Sequence, residues 1–89
     1  MPTRDVTICN RLGLHARAAA KLVGVANRYG ADVLLEKQGQ QINGKSIMGV
    51  MMLAASKGTV IKLSVNGERE DEAMQALVEL IDDKFGEGE

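Results

Sequence analysis

Tryptophan is absent from this chain, and Tyr29 and Phe85 are its only aromatic residues. So few flat rings leave little on which bases can stack. With 11 basic against 12 acidic residues, no field of one sign draws nucleic acid or an anionic membrane. Cys9 stands alone, which excludes an intrachain disulfide framework and fits a reducing compartment. One histidine, one cysteine and scattered carboxylates supply no metal-ligand spacing, so neither a metal nor a cofactor is expected. The opening residues, with Pro2, Arg4 and Asp5, form no apolar leader, and no apolar run is long enough to span a bilayer. A cytoplasmic protein without membrane insertion is expected. Eighty-nine residues suit one domain, 1–89, with a single core.

What is present alternates between strand and helix periodicity. Thr3 to Cys9 reads as a strand carrying Val6 and Ile8, followed by a loop from Asn10 to Leu14. A helix follows from Ala16 to Asn27, with Ala19, Leu22, Val23 and Ala26 on its core face. Gly13 supplies the turn before it, and Gly30 is expected as its left-handed C-cap. Asp32 to Lys37 and Gln40 to Asn43 read as a hairpin turning at Gln38-Gly39. Ser46 is a suitable N-cap for a short helix from Ile47 to Leu53. There Val50, Leu53 and Ala54 are expected inside, and the remaining apolar residues form an exposed, methionine-rich patch suited to a partner.

Thr59 to Val65 alternates as a fourth strand, with Ile61, Leu63 and Val65 on one face. A last helix runs from Glu68 or Glu70 to Lys84, with Ala73, Leu77, Leu80 and Ile81 buried and acids in its first turn. The Gly-rich tail, residues 86 to 89, is expected to fray. The order βαββαβα predicts an α+β fold, a four-stranded antiparallel sheet covered on one face by three helices. Several strand orders satisfy that string.

Chemistry concentrates at His15. At a helix N-terminus it lies beside unpaired amides, those of Arg17 to Ala19, and the positive end of the dipole. That field disfavours a charged imidazolium and leaves a neutral, nucleophilic ring. An anion on a ring nitrogen would meet those amides and the Arg17 guanidinium. Together these describe a phosphorylatable histidine, although a lone histidine before a helix is ordinarily an inert surface residue. Residues 39 to 46 also match the nucleotide-binding pattern GxxxxGK[ST] letter for letter. A hairpin through the supposed loop and too short a chain for parallel crossovers make that match chance. A nucleophile-and-base active site has no room for a substrate cleft, and Ser46 lacks the preceding aspartate of an acyl carrier.

The stretches GLHARAAAKLV and NGKSIMGVMMLAASKGT, in this element order, resemble the HPr family, the histidine-containing phosphocarriers of the bacterial phosphotransferase system. The resemblance covers the chain from about Val6 to Phe85. It implies an open-faced β-sandwich with strand order 1-4-2-3. It further implies that His15 accepts a phosphoryl group on Nδ1 from enzyme I and passes it to enzyme IIA domains, with Arg17 supporting the phosphohistidine. Ser46 is implied as a regulatory phosphorylation site for an HPr kinase/phosphorylase. Ala20, Lys21 and Gly24, with Ile47, Met48, Met51 and Met52, fall where the family docks its partners, and a monomer is expected. Most members carry proline where this chain has Ala18, which alters the first turn and keeps an N–H that proline lacks. Two rivals are a nitrogen-branch paralogue of the carrier, which commonly lacks this Ser46 context, and a binding module whose histidine is incidental.

Overall fold

The computed structural model describes residues 2–88. Its elements are β1 (Thr3–Thr7), α1 (Ala16–Ala26), β2 (Asp32–Lys37), β3 (Gln40–Asn43), α2 (Ile47–Met52), β4 (Val60–Asn66) and α3 (Glu70–Asp82), followed by a 3-10 turn, Lys84–Gly86. The four strands form one antiparallel sheet in the order β1-β4-β2-β3, as the resemblance implies. Of the two central strands, β4 is therefore the last in sequence, and it joins β1 to the β2–β3 hairpin.

Register explains why only one face is covered. Val6 stands opposite Ile61, Leu35 opposite Leu63, and Val33 opposite Val65, all buried and facing the helices. One residue along, most side chains are polar: Lys62 lies between Asp5 and Glu36, and Ser64 shares a hydrogen bond with Thr3 at 3.2 Å. Alternation with period two thus sends most of the apolar set to the helices and leaves the other face, with Leu34 and Val60, to water. The hairpin turns through Gln38 (φ 51°) and Gly39 (φ 83°), both left-handed, the combination that matches strand twist.

α1 buries Ala18, Ala19, Leu22, Val23 and Ala26, and its small residues let the helix lie close to the sheet. α3 buries Ala73, Met74, Leu77, Val78 and Ile81, its acidic first turn (Glu70, Asp71, Glu72) matching the dipole. Leu80, expected inside, is only half-buried, and Met74 and Val78 take the core side instead. Within α2, Val50 is buried and Leu53 follows it into the core. Ala54, expected beside them, is exposed, because its left-handed φ of 52° reverses the chain after the helix. Lys37 donates to the Leu53 and Ala54 carbonyls at 2.9 and 3.3 Å, which supplies the cation that the C-terminal end of α2 lacks.

Two helix ends differ from the sequence reading. Gly30 is not a left-handed cap; α1 tightens instead through Arg28 N–H to Val25 and Tyr29 N–H to Ala26. α3 stops at Asp82 rather than at Lys84, since Lys84 and Phe85 (both φ 56°) adopt left-handed backbone. Each such residue costs about 1–2 kcal/mol when it is not glycine. Full burial of the Phe85 ring offsets that cost and turns the tail back over the molecule. The tail is accordingly not frayed through residue 87, whereas Glu89 lies outside the described residues.

The stretch 39–46 has no phosphate-loop geometry. It forms a hairpin turn, the antiparallel strand β3 and the cap of a six-residue helix. Gly44 sits against β2, its N–H donating to the Val33 carbonyl at 2.7 Å, and a Cβ there would lie 2.4 Å from Val33 Cγ1. The Lys45 ammonium is spent on the Tyr29 carbonyl at 2.9 Å.

Candidate functional site

His15 is the N-cap of α1, with extended backbone (φ −75°, ψ 178°) and no side-chain capping bond. Its position is dictated by the loop ahead of it. Gly13 (φ +68°) approaches the Ala55 carbonyl so closely that a Cβ would come within 2.5 Å of that oxygen. Leu14 is buried, and its N–H donates to the same carbonyl at 2.9 Å. Two anchored residues therefore deliver His15 to the surface, where its side chain keeps 28% exposure.

Ala19 N–H already donates to the His15 carbonyl at 2.8 Å. The amides open to an anion are thus those of Ala16, Arg17 and Ala18, which find no backbone acceptor among the described residues; the range expected from sequence is shifted by one residue. Ala18 retains one of these donors. Arg17 is exposed and lines the same cleft as Arg11, Leu12, Ala16, Gly86 and Glu87. Its guanidinium makes no hydrogen bond or ion pair among the described residues, so it is available to a ligand on His15.

A third group is absent from the sequence reading. Glu87 reaches back from the tail, and its Oε2 accepts from His15 Nε2. Its other oxygen, Oε1, accepts from Asn10 Nδ2 at 3.0 Å. Asn10 is fully buried and also donates to the Gly13 carbonyl at 2.8 Å. The bonds from Asn10 and from His15 hold the Glu87 carboxyl below its ordinary value of 4.5. A lowered carboxylate pKa means that this contact stabilises the fold fully above about pH 4.5. The contribution is lost as pH falls through the lower folded value. Lys21 Nζ donates to the Phe85 carbonyl at 2.6 Å and ties the same tail to α1. Nothing in local periodicity marks Asn10 or Glu87, which are 77 residues apart.

Ser46 caps α2 as expected: its Oγ accepts from Gly49 N–H at 3.1 Å. Ile47, Met48, Met51 and Met52 are exposed, Met48 to 71%. Ala20, Lys21 and Gly24 are exposed on α1, which packs against α2, and Leu12 adds a further exposed apolar side chain before α1. Cys9 is half-buried, its thiol donating to the Ile81 carbonyl at 3.3 Å.

By fold and site this is an open-faced sandwich that presents one histidine at its surface. A family model described as the PTS HPr component phosphorylation site matches residues 2–83. The phosphocarrier protein HPr of Pseudomonas aeruginosa is 59% identical over 90 residues, covering 100% of both chains. That of Cupriavidus necator is 53% identical over 89 residues, again covering 100% of both. HPr from Thermoanaerobacter tengcongensis, a solved structure, has a TM-score of 0.94 at 47% identity and covers 98% of each chain. Crh of Bacillus subtilis, described as a swapped-domain dimer, has a TM-score of 0.76 at 44% identity, covering 94% of this chain and 97% of its own. The chain belongs to the HPr family of phosphocarrier proteins of the phosphotransferase system.

Proposed function

We propose that this single-domain, cytoplasmic, monomeric protein carries a phosphoryl group on Nδ1 of His15, taken from phosphorylated enzyme I and passed to an enzyme IIA-type acceptor. The observation that carries the reading is the partly exposed ring at the start of α1, beside three open amides and an uncommitted Arg17. The Nδ1 lone pair attacks phosphorus as the bond to the donor breaks, and the electron pair of that bond leaves with the donor. The reverse step returns the group to the next nucleophile. Helix-end amides stabilise the adduct by about 0.3–1 kcal/mol, enough to orient it without trapping it. Arg17 adds a charge-assisted donor to the phosphoryl oxygens. Catalytic power comes from the partners, and this chain supplies position. Incubation with phosphoenolpyruvate and enzyme I should give an acid-labile phosphate on the protein; no label under those conditions overturns the reading.

Docking is assigned to Ile47, Met48, Met51 and Met52 of α2 with Ala20, Lys21 and Gly24 of α1. Gly24 has open space around its Cα, so a partner side chain can approach the helix backbone there. Met48→Glu should raise the KM for enzyme I about tenfold, as loss of a central apolar anchor does. Stability should change by less than about 0.5 kcal/mol, because the side chain is exposed. Unfolding of the variant would instead place Met48 in the core.

Ser46 is read as a regulatory phosphorylation site for an HPr kinase/phosphorylase. A phosphate there carries about −1.5 to −2 charge at the N-terminus of α2, which favours it, and stands beside Ile47 and Met48, where docking must exclude water. Ser46→Asp should keep or slightly raise the melting temperature, since aspartate also caps, while raising the KM for enzyme I. Unchanged transfer kinetics would leave Ser46 as a cap alone.

A further inference from the structure

We infer that Glu87, held by Asn10, is a positioning residue for phosphoryl transfer: it fixes the His15 ring through Nε2–H and leaves Nδ1 facing outward as the only nitrogen open to attack. The inference rests on His15 being the phosphoryl acceptor. Three observations support it independently of that reading. Glu87 Oε2 takes the Nε2 side of the ring, and an ionised carboxylate can only accept, so Nε2 carries the hydrogen. His15 Nδ1 meets no hydrogen-bond partner among the described residues. Glu87 is itself fixed from below, since Asn10 is fully buried and bonded both to Glu87 and to the Gly13 carbonyl of the loop that delivers His15.

The tail has no freedom to place Glu87 elsewhere at low cost. Phe85 is buried, its carbonyl is bonded to Lys21, and Gly86 follows with a left-handed φ of 76°. A carboxylate 72 residues from His15 thus belongs to the same rigid cluster.

The chemistry gives the contact a direction. When the Nδ1 lone pair forms the bond to phosphorus, a ring that keeps its Nε2 hydrogen becomes positively charged. The carboxylate on the opposite nitrogen stands where that charge develops, and the phosphoryl oxygens meet the amides of Ala16 to Ala18 and Arg17 on the other side. On release to the acceptor, the pair returns to Nδ1, the ring becomes neutral again, and the proton remains on Nε2. Glu87 therefore orients and balances the ring without forming a bond to the group transferred.

The test uses the full chain, isotopically labelled with 15N, as wild type, Glu87→Ala and Glu87→Gln. Two readouts are taken: the His15 Nε2–H resonance and the rate of label uptake from phosphoenolpyruvate with enzyme I. Wild type should show a slowly exchanging Nε2–H signal. E87A should lose it and take up phosphate about tenfold more slowly, the scale of a lost charge-assisted hydrogen bond that is partly screened by solvent. E87Q keeps the size of the side chain and its bond from Asn10 but removes the charge, so its uptake should slow as well. A wild-type signal or a wild-type rate retained in E87A overturns the inference, as does a wild-type rate in E87Q. Failure of the wild-type protein to take up label overturns the carrier reading instead, and the resonance still reports on Glu87 in that case.

Discussion

Replacing His15 with alanine should abolish acid-labile phosphorylation completely while leaving the fold standing. The chain has no other histidine, so no second ring can accept the group in its place. The structural cost is small for a stated reason. His15 makes no side-chain capping bond, so alanine gives up none of the usual N-cap stabilisation. What is lost is one contact to Glu87 at a partly exposed position. Thermal unfolding should therefore shift by no more than about 0.5 kcal/mol of stability. Measured together, a folded protein with no label is the expected pair of results. Persistent acid-labile label on a folded variant would sink the assignment of the site.

The second large effect is expected at a buried ring two residues from Glu87. Phe85→Ala should cost about 3–5 kcal/mol, the range for deleting a buried aromatic ring. Small domains have about 5–15 kcal/mol in total, so the variant stands near its unfolding threshold. The ring is the largest of the fully buried side chains, and two left-handed residues are held in place by its burial. Its removal frees Lys84 and residue 85 to relax, releases the Lys21 contact and lets Glu87 leave His15. Denaturant unfolding checks the magnitude, and the His15 Nε2–H resonance checks the release. A loss below about 1 kcal/mol would mean that the tail is anchored by something other than Phe85. Phe85→Leu, which keeps much of the apolar volume, should fall between wild type and the alanine variant.

How much of this was legible in the residues follows from the range over which each signal acts. The helix at Ala16–Ala26 declares itself through Leu22, Val23 and Ala26 because the period of a helix is local. Ser46 is legible as a cap because its acceptor role needs only Gly49, three residues on. The hairpin at Gln38-Gly39 is legible for the same reason. Strand order is not local: placing β4 between β1 and β2 requires knowing which apolar faces meet, and only the family resemblance supplied it. Gly30 misleads because α1 had already ended by tightening its last turn, which needs no glycine.

The tail misleads more instructively. Gly86 to Glu89 has the composition of a frayed end, and composition cannot register that one buried ring just before it reverses the chain. At the site, His15 and Arg17 were legible as a pair two residues apart, with Ala18 marking a departure from the family pattern. Asn10 looked like one more loop asparagine. Its amide matters because it is buried, and burial is a property of the folded chain alone.

The bare side of the sheet has a practical consequence. Lys62, between Asp5 and Glu36, and the Thr3–Ser64 pair lie on the layer opposite the helices, while His15, Ser46 and the methionines of α2 belong to the helical side or its rim. The protein therefore has a back and a front. A bead, dye or fusion partner joined at Lys62 leaves the proposed transfer and docking groups on the opposite side unobstructed. An array of such tethered molecules should still exchange phosphate with soluble partners, each one a fixed relay post instead of a diffusing messenger.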